Sequence, residues 1–388
     1  MQILLDRAFT EYAKKIGILC EQLSQQHGIS SSVFYSGYMD GVNETVRQWF
    51  ASSSADVIVL VMSDYLSHHD HNFNMEALSK IPKKFIIVTE VYNAQADFPY
   101  YPNIFYAHMG PTLIANQDPW DHVLPENFKN LSEGPHWISM CHNARPQRTL
   151  LSAFLANYNL GFDPNTSGQL KISIDSHGAR LPIKNFEDWI NWFCMFYQQP
   201  AESIYQPVYN KIKNGYELLE RNAEALKSNR NFFPGYPLSL DNSQNFDIGI
   251  RHYYRTSVLE IVNETIYFSK GISVSEKYLY TIMGFSFPIL IGNPGTVSYL
   301  RSLGFDMFDD IINHHYDTQT DGIWRIMYAV ENNLHILGNA NLARKHWLNC
   351  YPRFQRNYEH VKKYFTNQCI DQFTKEFVEA LGKIKAQF

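Results

Sequence analysis

The residue run that most constrains this chain is Val57–Met62, six apolar residues in succession with the sequence VIVLVM. A strand of this kind is buried on both faces, which is typical of a parallel sheet covered by helices on each side. Further β-rich runs occur at 32–34, 85–88 and 104–108, and helical patterns occur at 7–27 and 42–52. The alternation predicts a Rossmann-like α/β domain over residues 1–134.

A second series of strands and helices begins at His136. Strands are predicted at 137–140, 170–174, 257–262 and 288–291, and helices at 146–158, 186–196, 202–228, from 276 and from 296. We therefore predict a second Rossmann-like domain over 135–343, with the polar, proline-interrupted stretch 117–135 as the linker. Helices within 344–388 are expected to pack across both domains. The predicted fold class is α/β, with two such domains facing a cleft and ligands bound at the carboxyl ends of the strands.

Composition supports two ordinary cores and excludes a strongly basic protein. The chain has 388 residues, of which 45% are hydrophobic, and its net charge is −5. The five cysteines form no CxxC pair, and no apolar run approaches the ~18 residues that a membrane span needs. We expect buried thiols, no membrane partner and a cytoplasmic location. The segment 344–388 is locally basic, which indicates either a solvated helix face or a polyanion-binding surface.

The most informative stretch lies at 262–305 and reads as strand, loop, helix, strand, glycine turn and helix. Ser275 is a favourable N-cap, which places Glu276 and Lys277 in the first turn of a helix. The amide groups and the dipole at a helix start favour an anion. Lys277 would add positive charge for a diphosphate, and Glu276 can accept hydrogen bonds from ribose hydroxyls. The pattern predicts a nucleotide-sugar site; the alternative is an ordinary capped helix with charged first-turn residues.

The glycine turn that follows, Gly292-Asn293-Pro294-Gly295, begins a second helix close to the first. Gly292 and Gly295 permit close approach of the backbone to a ligand. Alternatively, they serve only the conformation of a strand-to-helix turn.

This stretch resembles the donor-binding half of the α-1,3-fucosyltransferase family. That family carries a Thr/Ser-Glu-Lys after a strand, then a proline-led apolar strand ending in glycine. The stretch is also similar to a group of phage-encoded glycosyltransferases with a longer pattern. The matching residues are NET at 263–265, SEK at 275–277, FPILIGNPG at 287–295, YLRSLGF at 299–305, Phe308-Asp309 and Tyr316-Asp317. The resemblance covers about 136–330 and is specific over 253–317.

The resemblance implies a glycosyltransferase of the GT-B type, which uses a UDP- or GDP-linked sugar as co-substrate and no other cofactor. It implies that Glu276 and Lys277 contact the nucleotide. The segment Ser139–Arg148 is similar to the arginine-bearing helix start of that family, which implies that Arg145 or Arg148 clamps the diphosphate; surface charge is the alternative. The chain has Ser275 where the family usually has Thr, and the first third of the chain has no match. Donor base, sugar and acceptor therefore stay open.

Enzymes of the GT-B type need no bound metal, and no Asp-x-Asp follows an apolar strand here. The cluster His68–His71 is interpreted as a loop or an exposed helix start. An inverting enzyme needs a base that takes the acceptor proton. Asp64 and Glu90 are the favoured candidates because both follow predicted strands of the first domain, and Asp6 and His108 are further ones. A retaining enzyme would need no such base.

Two acceptors are considered, a hydroxymethylated base in phage DNA and a glycan. The phage-like relatives and the basic segment 344–388 favour DNA, which would require flipping the base out of the duplex. The main alternative to an enzyme is a non-catalytic, two-lobed protein that binds a nucleotide or a carbohydrate. A nucleotide-sugar epimerase is disfavoured because no GxGxxG follows the first strand and no P-loop pattern occurs.

Overall fold

The structure is a computed structural model that describes fourteen stretches of the chain. These are 11–36, 44–62, 75–89, 92–97, 99–109, 129–131, 135–141, 146–160, 168–172, 185–197, 203–221, 254–264, 270–364 and 368–388. The helices are α1 Glu11–Gln26, α2 Glu44–Ser52, α3 Met75–Ser79, α4 Pro146–Asn157, α5 Phe186–Tyr197, α6 Gln206–Arg221, α7 Glu276–Met283, α8 Thr296–Ser302, α9 Gly322–Glu331, α10 Leu334–Leu337, α11 Ala340–Lys363 and α12 Cys369–Lys385. The strands are β1 Ser31–Ser36, β2 Val57–Met62, β3 Lys84–Thr89, β4 Ile104–His108, β5 Trp137–Cys141, β6 Gly168–Ile172, β7 Leu259–Asn263 and β8 Phe287–Ile291.

The chain divides into two compact units, each an α/β unit with its own sheet. Unit 1 comprises the described residues within Met1–Trp120, Ser269–Glu276 and His360–Phe388. Unit 2 comprises those within Asp121–Phe268 and Lys277–Glu359. The C-terminal helices are therefore distributed: α12 belongs to unit 1, and α11 up to Glu359 belongs to unit 2.

Unit 1 contains a four-stranded parallel sheet in the order β1-β2-β3-β4. Every residue of β2 is buried, because helices cover both faces of the sheet. On one face, Val57, Val59 and Val61 pack in a core that α1 and α12 complete. On the other face, Phe50 of α2 contacts the rings of Phe34 and Phe85. The alternation of side chains along each strand thus separates two cores.

Unit 2 contains a second four-stranded parallel sheet in the order β6-β5-β7-β8. Helices α4 and α6 pack closely because α6 carries Gly215 at the contact, where an added Cβ would lie 1.8 Å from the carbonyl oxygen of Ala153. Elsewhere in the unit, Phe354 of α11 contacts the rings of Phe287 and Phe308. The Trp347 indole N–H donates to the Phe285 carbonyl at 2.6 Å.

The predicted α/β class with parallel sheets is confirmed, and each described strand lies within two residues of its predicted position. The predicted linker 117–135 lies mostly outside the described residues, so the domain boundary at 134 stays a prediction. The four cysteines whose side chains are described are buried thiols, as predicted: Cys20, Cys194, Cys350 and Cys369. Within the described stretches, no helix is both long enough and apolar enough to cross a bilayer.

Candidate nucleotide-binding site

The motif of the sequence folds as strand, helix, strand, turn and helix. Strand β7 ends at Asn263, helix α7 begins at Glu276 directly after Ser275, and β8 leads through the glycine turn into α8. Ser275 is therefore in the N-cap position that the sequence predicts. Lys277 is in the first turn of α7, where its side chain is half-buried. The Glu276 side chain lies outside the described part of the structure.

Helix α7 is attached to the sheet by a buried polar cluster. The Thr281 hydroxyl lies 2.5 Å from Glu260 Oε2 and 3.0 Å from the Lys277 carbonyl oxygen. The Tyr254 hydroxyl donates to the same carboxyl oxygen. Glu260 is 1% exposed and is the second residue of β7, so it connects the sheet to the first turns of α7.

Burial raises the pKa of Glu260 to about 7, although hydrogen bonds from Thr281 and Tyr254 and the positive charge of Lys277 act in the opposite direction. The geometry accommodates the protonated form. The Thr281 hydroxyl has one proton; when it donates that proton to the Lys277 carbonyl, its contact with Glu260 requires a proton on the carboxyl. A neutral Glu260 then donates to Thr281. The charge state of this carboxyl is thereby coupled to the start of α7.

The start of α8 already has a carboxylate on it. The Asp317 carboxylate accepts hydrogen bonds from the amides of Val297 and Ser298, each at 3.0 Å, and the Asp317 carbonyl accepts one from Gly295. Asp317 is 3% exposed. Two first-turn amides of this seven-residue helix are therefore bonded to a side chain of the protein itself.

Both glycines of the turn have a conformational reason to be glycine. Gly295 has φ +85°, in the left-handed region. A Cβ on Gly292 would lie 2.8 Å from Thr296 Oγ1, and that hydroxyl donates to the Asn293 carbonyl at 2.7 Å. Contact of Gly292 and Gly295 with a ligand stays a prediction that the geometry of the turn does not require.

At the carboxyl edge of the unit 2 sheet, the start of α4 joins the end of β7. The Asn263 side-chain amide donates to the Gln147 carbonyl at 3.2 Å, and the Gln147 amide donates to the Glu264 carbonyl at 3.3 Å. Arg148 is next to Gln147 and only 4% exposed. The Arg148 side chain is therefore buried rather than on the surface, and its contact with a diphosphate stays a prediction. Arg145 lies outside the described residues.

The motif continues into a charged cavity of about 740 Å³ in unit 2. Arg301 binds Asp309 through two hydrogen bonds and holds the pKa of that carboxyl below its usual range. His314 lies 2.9 Å from the same carboxylate, and burial lowers the pKa of its ring. Asp309, Asp310 and Asp317 line this cavity together with Arg301 and three histidines, His314, His315 and His335.

A further ion-pair cluster joins α11 to the motif. Arg353 pairs with Asp306 at 2.6 Å and Asp310 at 2.8 Å, and its guanidinium lies 4.7 Å from the centre of the Phe308 ring. Phe308 has φ +58°, so these contacts brace a turn that is costly for a side-chain-bearing residue. Arg353 is one of the basic residues within 344–388, and its charge is used inside the protein.

Of the residues predicted for the acceptor domain, the structure describes one. His108 is 6% exposed at the end of β4, with its ring against Tyr92 at a centroid distance of 5.6 Å. Four other predicted positions lie outside the described residues: Asp6, Asp64, Glu90 and the cluster His68–His71. Among the residues that are described, no three His, Cys, Asp or Glu side chains are grouped to hold a metal ion.

Sequence reasoning missed the two carboxyl groups that organise this region. Glu260 had a visible signal, since an acid inside the apolar run VLEIVN is costly to bury without partners. Asp317 was noted only as part of the motif. Its capping role depends on a contact twenty residues distant along the chain, which no local pattern reveals.

Comparisons with protein-family models, curated proteins and solved structures return no match.

Proposed function

We propose that this protein is a glycosyltransferase of the GT-B type that transfers a sugar from a UDP- or GDP-linked donor to an acceptor hydroxyl. The observation that carries the proposal is the start of α7. There Ser275 precedes the helix at the N-cap position and Lys277 lies in the first turn. Two α/β units with parallel sheets are compatible with the GT-B architecture.

Transfer of the sugar requires stabilisation of the leaving diphosphate and a base that takes the acceptor proton. The bond between the anomeric carbon and the diphosphate oxygen breaks, a new bond forms to the acceptor oxygen, and the acceptor proton passes to a base. Negative charge accumulates on the leaving diphosphate, and a helix dipole with a lysine ammonium stabilises it. In this proposal Lys277 and the α7 amides take that role, with Arg148 or Arg145 beside them. Asp64 and Glu90 stay the proposed bases.

The contrast with α8 supports placing the diphosphate at α7. A phosphate at α8 would have to displace the buried Asp317 carboxylate from Val297 and Ser298, which costs about 1–3 kcal/mol for each charge-assisted bond lost. The start of α7 instead presents a lysine.

The test is a screen of UDP- and GDP-linked sugars for slow hydrolysis of the donor by the full-length protein. We expect turnover of at least one donor, a loss of about tenfold or more in kcat/KM for Lys277→Ala, and no change for the control Lys345→Ala. Lys345 is an exposed lysine on α11 of the same unit. Far-UV circular dichroism establishes that both variants are folded. Binding of a nucleotide sugar without any hydrolysis or transfer would instead favour a non-catalytic binding protein.

A further inference from the structure

Unit 1 contains a groove of about 920 Å³ along the outer side of the edge strand β4. The strand forms one wall, α12 forms another, and residues within 92–97 and 99–101 form the rim. Its aromatic lining is Tyr92, Tyr100, Tyr101, Phe105, Tyr106 and His108. The groove lies wholly within unit 1, and no residue of the predicted donor motif lines it.

Two tyrosines of the rim are exposed to solvent. Tyr100 is 86% exposed and Tyr92 is 37% exposed. An exposed ring at the edge of a cavity contributes little to the core, and such patches mark binding surfaces. The face of an aromatic ring is negative, so it attracts the polarised C–H groups on the flat face of a sugar. The phenol hydroxyl adds a hydrogen-bonding group at the same place.

The polar lining is partly preorganised by contacts inside unit 1. Glu376 of α12 accepts a hydrogen bond from the His108 amide at 2.8 Å and one from the Gln372 side chain at 3.1 Å. Asn93 and Gln95 are also in the lining, and the Gln95 amide donates to Asn93 Oδ1 at 2.9 Å. Fixed amide and carboxylate groups beside aromatic rings suit a ligand with many hydroxyl groups.

The charge of the groove disfavours a phosphate backbone. Among its described lining residues, Glu376 and Glu379 oppose Lys383. A nucleic-acid site would need an excess of lysine and arginine, because phosphate contacts supply most of the affinity. A neutral ligand is compatible with this lining. The two carboxylates and the ring faces would also attract an organic cation, so tetramethylammonium is the competing probe in the test.

The rim of the groove is bonded to the loop that leads into the predicted donor motif. Tyr92 and Ile272 exchange two backbone hydrogen bonds of 2.8 Å, forming an isolated antiparallel bridge within unit 1. Ile272 is four residues before Glu276. Because an extended residue spans at most about 3.6 Å, the start of α7 lies within about 14 Å of this bridge.

We infer that this groove binds a neutral carbohydrate. If the function proposed above holds, this carbohydrate is the acceptor of sugar transfer, which makes the acceptor a glycan rather than a base in DNA. Binding itself requires no donor, so the two statements can be tested separately.

The test uses saturation-transfer NMR on the full-length protein with a panel of neutral gluco-, galacto- and manno-configured trisaccharides, without nucleotide. We expect at least one to bind, and we expect Tyr100→Ala combined with Tyr101→Ala to weaken it by about tenfold. Tyr205→Ala is the matched control, because Tyr205 is 60% exposed but lies in unit 2. That variant and Lys277→Ala should bind the trisaccharide as the wild type does.

Absence of binding by every trisaccharide at about 10 mM would overturn the inference, as would binding that the Tyr100/Tyr101 variant leaves unchanged. Binding of tetramethylammonium or of a DNA duplex that depends on the two tyrosines, with no trisaccharide bound, would also overturn it. Tyrosine-dependent carbohydrate binding by a protein that turns over no sugar nucleotide would support the groove as a binding site and contradict its role as an acceptor site. The donor screen with Lys277→Ala fails or succeeds independently of these results.

Discussion

The motif contains two successive strand–helix pairs, β7–α7 and β8–α8, and they differ at the helix start. At α8, a buried carboxylate from Asp317 occupies two amides. At α7, the chain places a lysine in the first turn, and a buried carboxyl, Glu260, supports the helix from below. One helix start thus has two amides bonded to an internal carboxylate, and the other presents a lysine next to a glutamate. An anion site is a property of the residues at a helix start, not of the helix alone.

The largest effect on this comparison is expected from Asp317→Ala. The variant leaves the amides of Val297 and Ser298 without their acceptor. We therefore expect urea titrations to give a free energy of unfolding about 2–4 kcal/mol lower than that of the wild type. Asp317→Asn keeps one oxygen acceptor and should lose about half as much. If the carboxylate stands where an anion would otherwise bind, sulfate should restore stability to Asp317→Ala more than it stabilises the wild type. Equal stabilisation of the two proteins by sulfate would show that the Asp317 carboxylate does not occupy an anion site.

A second prediction concerns the support beneath α7. The folded-state pKa of Glu260, about 7, lies above the ordinary value of about 4.3. The protonated carboxyl therefore stabilises the folded protein at acidic pH, and this stabilisation is lost as the pH rises from about 4.3 to about 7. Between pH 5 and 8, the wild type should lose on the order of 2 kcal/mol of unfolding free energy relative to Glu260→Gln. Urea titrations of both proteins at each pH measure the difference. Parallel pH profiles would show that Glu260 does not titrate in this range.

The smallest expected effect lies in the turn before α8. Gly292→Ala places a methyl group 2.8 Å from Thr296 Oγ1, so we expect a loss of about 1–2 kcal/mol. Gly382→Ala in α12 is the matched control, because no described atom lies within 4 Å of the added Cβ. It should gain about 0.5–1 kcal/mol from helix propensity. If Gly292→Ala also leaves nucleotide binding unchanged, the glycine serves the turn rather than a ligand.

The sequence was most informative where burial and periodicity agree. The run Val57–Met62 predicted a doubly covered strand, and the structure shows it buried throughout. The start of α7 at Glu276 was predicted to the residue, because Ser275 is a local signal. Helix α9 was missed although Asp321 caps it by accepting from the amides of Ile323 and Trp324. The capping residue Asp321 was the signal for this helix in the sequence.

What the sequence did not reveal depends on long-range contacts. The place of α12 in the unit 1 core brings residues near the end of the chain onto β4, about 270 positions earlier; the Glu376 contact with the His108 amide spans 268 residues. No local period encodes such a pairing. The groove beside β4 could therefore not be predicted from the sequence, although its tyrosines are close together along the chain.

The most direct test of the central claim is a calorimetric comparison of nucleoside mono- and diphosphates, GMP against GDP and UMP against UDP, on the wild type and Lys277→Met. Methionine keeps most of the apolar stem and removes the charge. We expect the wild type to bind one diphosphate at least about tenfold more tightly than its monophosphate, and we expect Lys277→Met to lose this preference while remaining folded. An equal preference for the diphosphate in both proteins would contradict it.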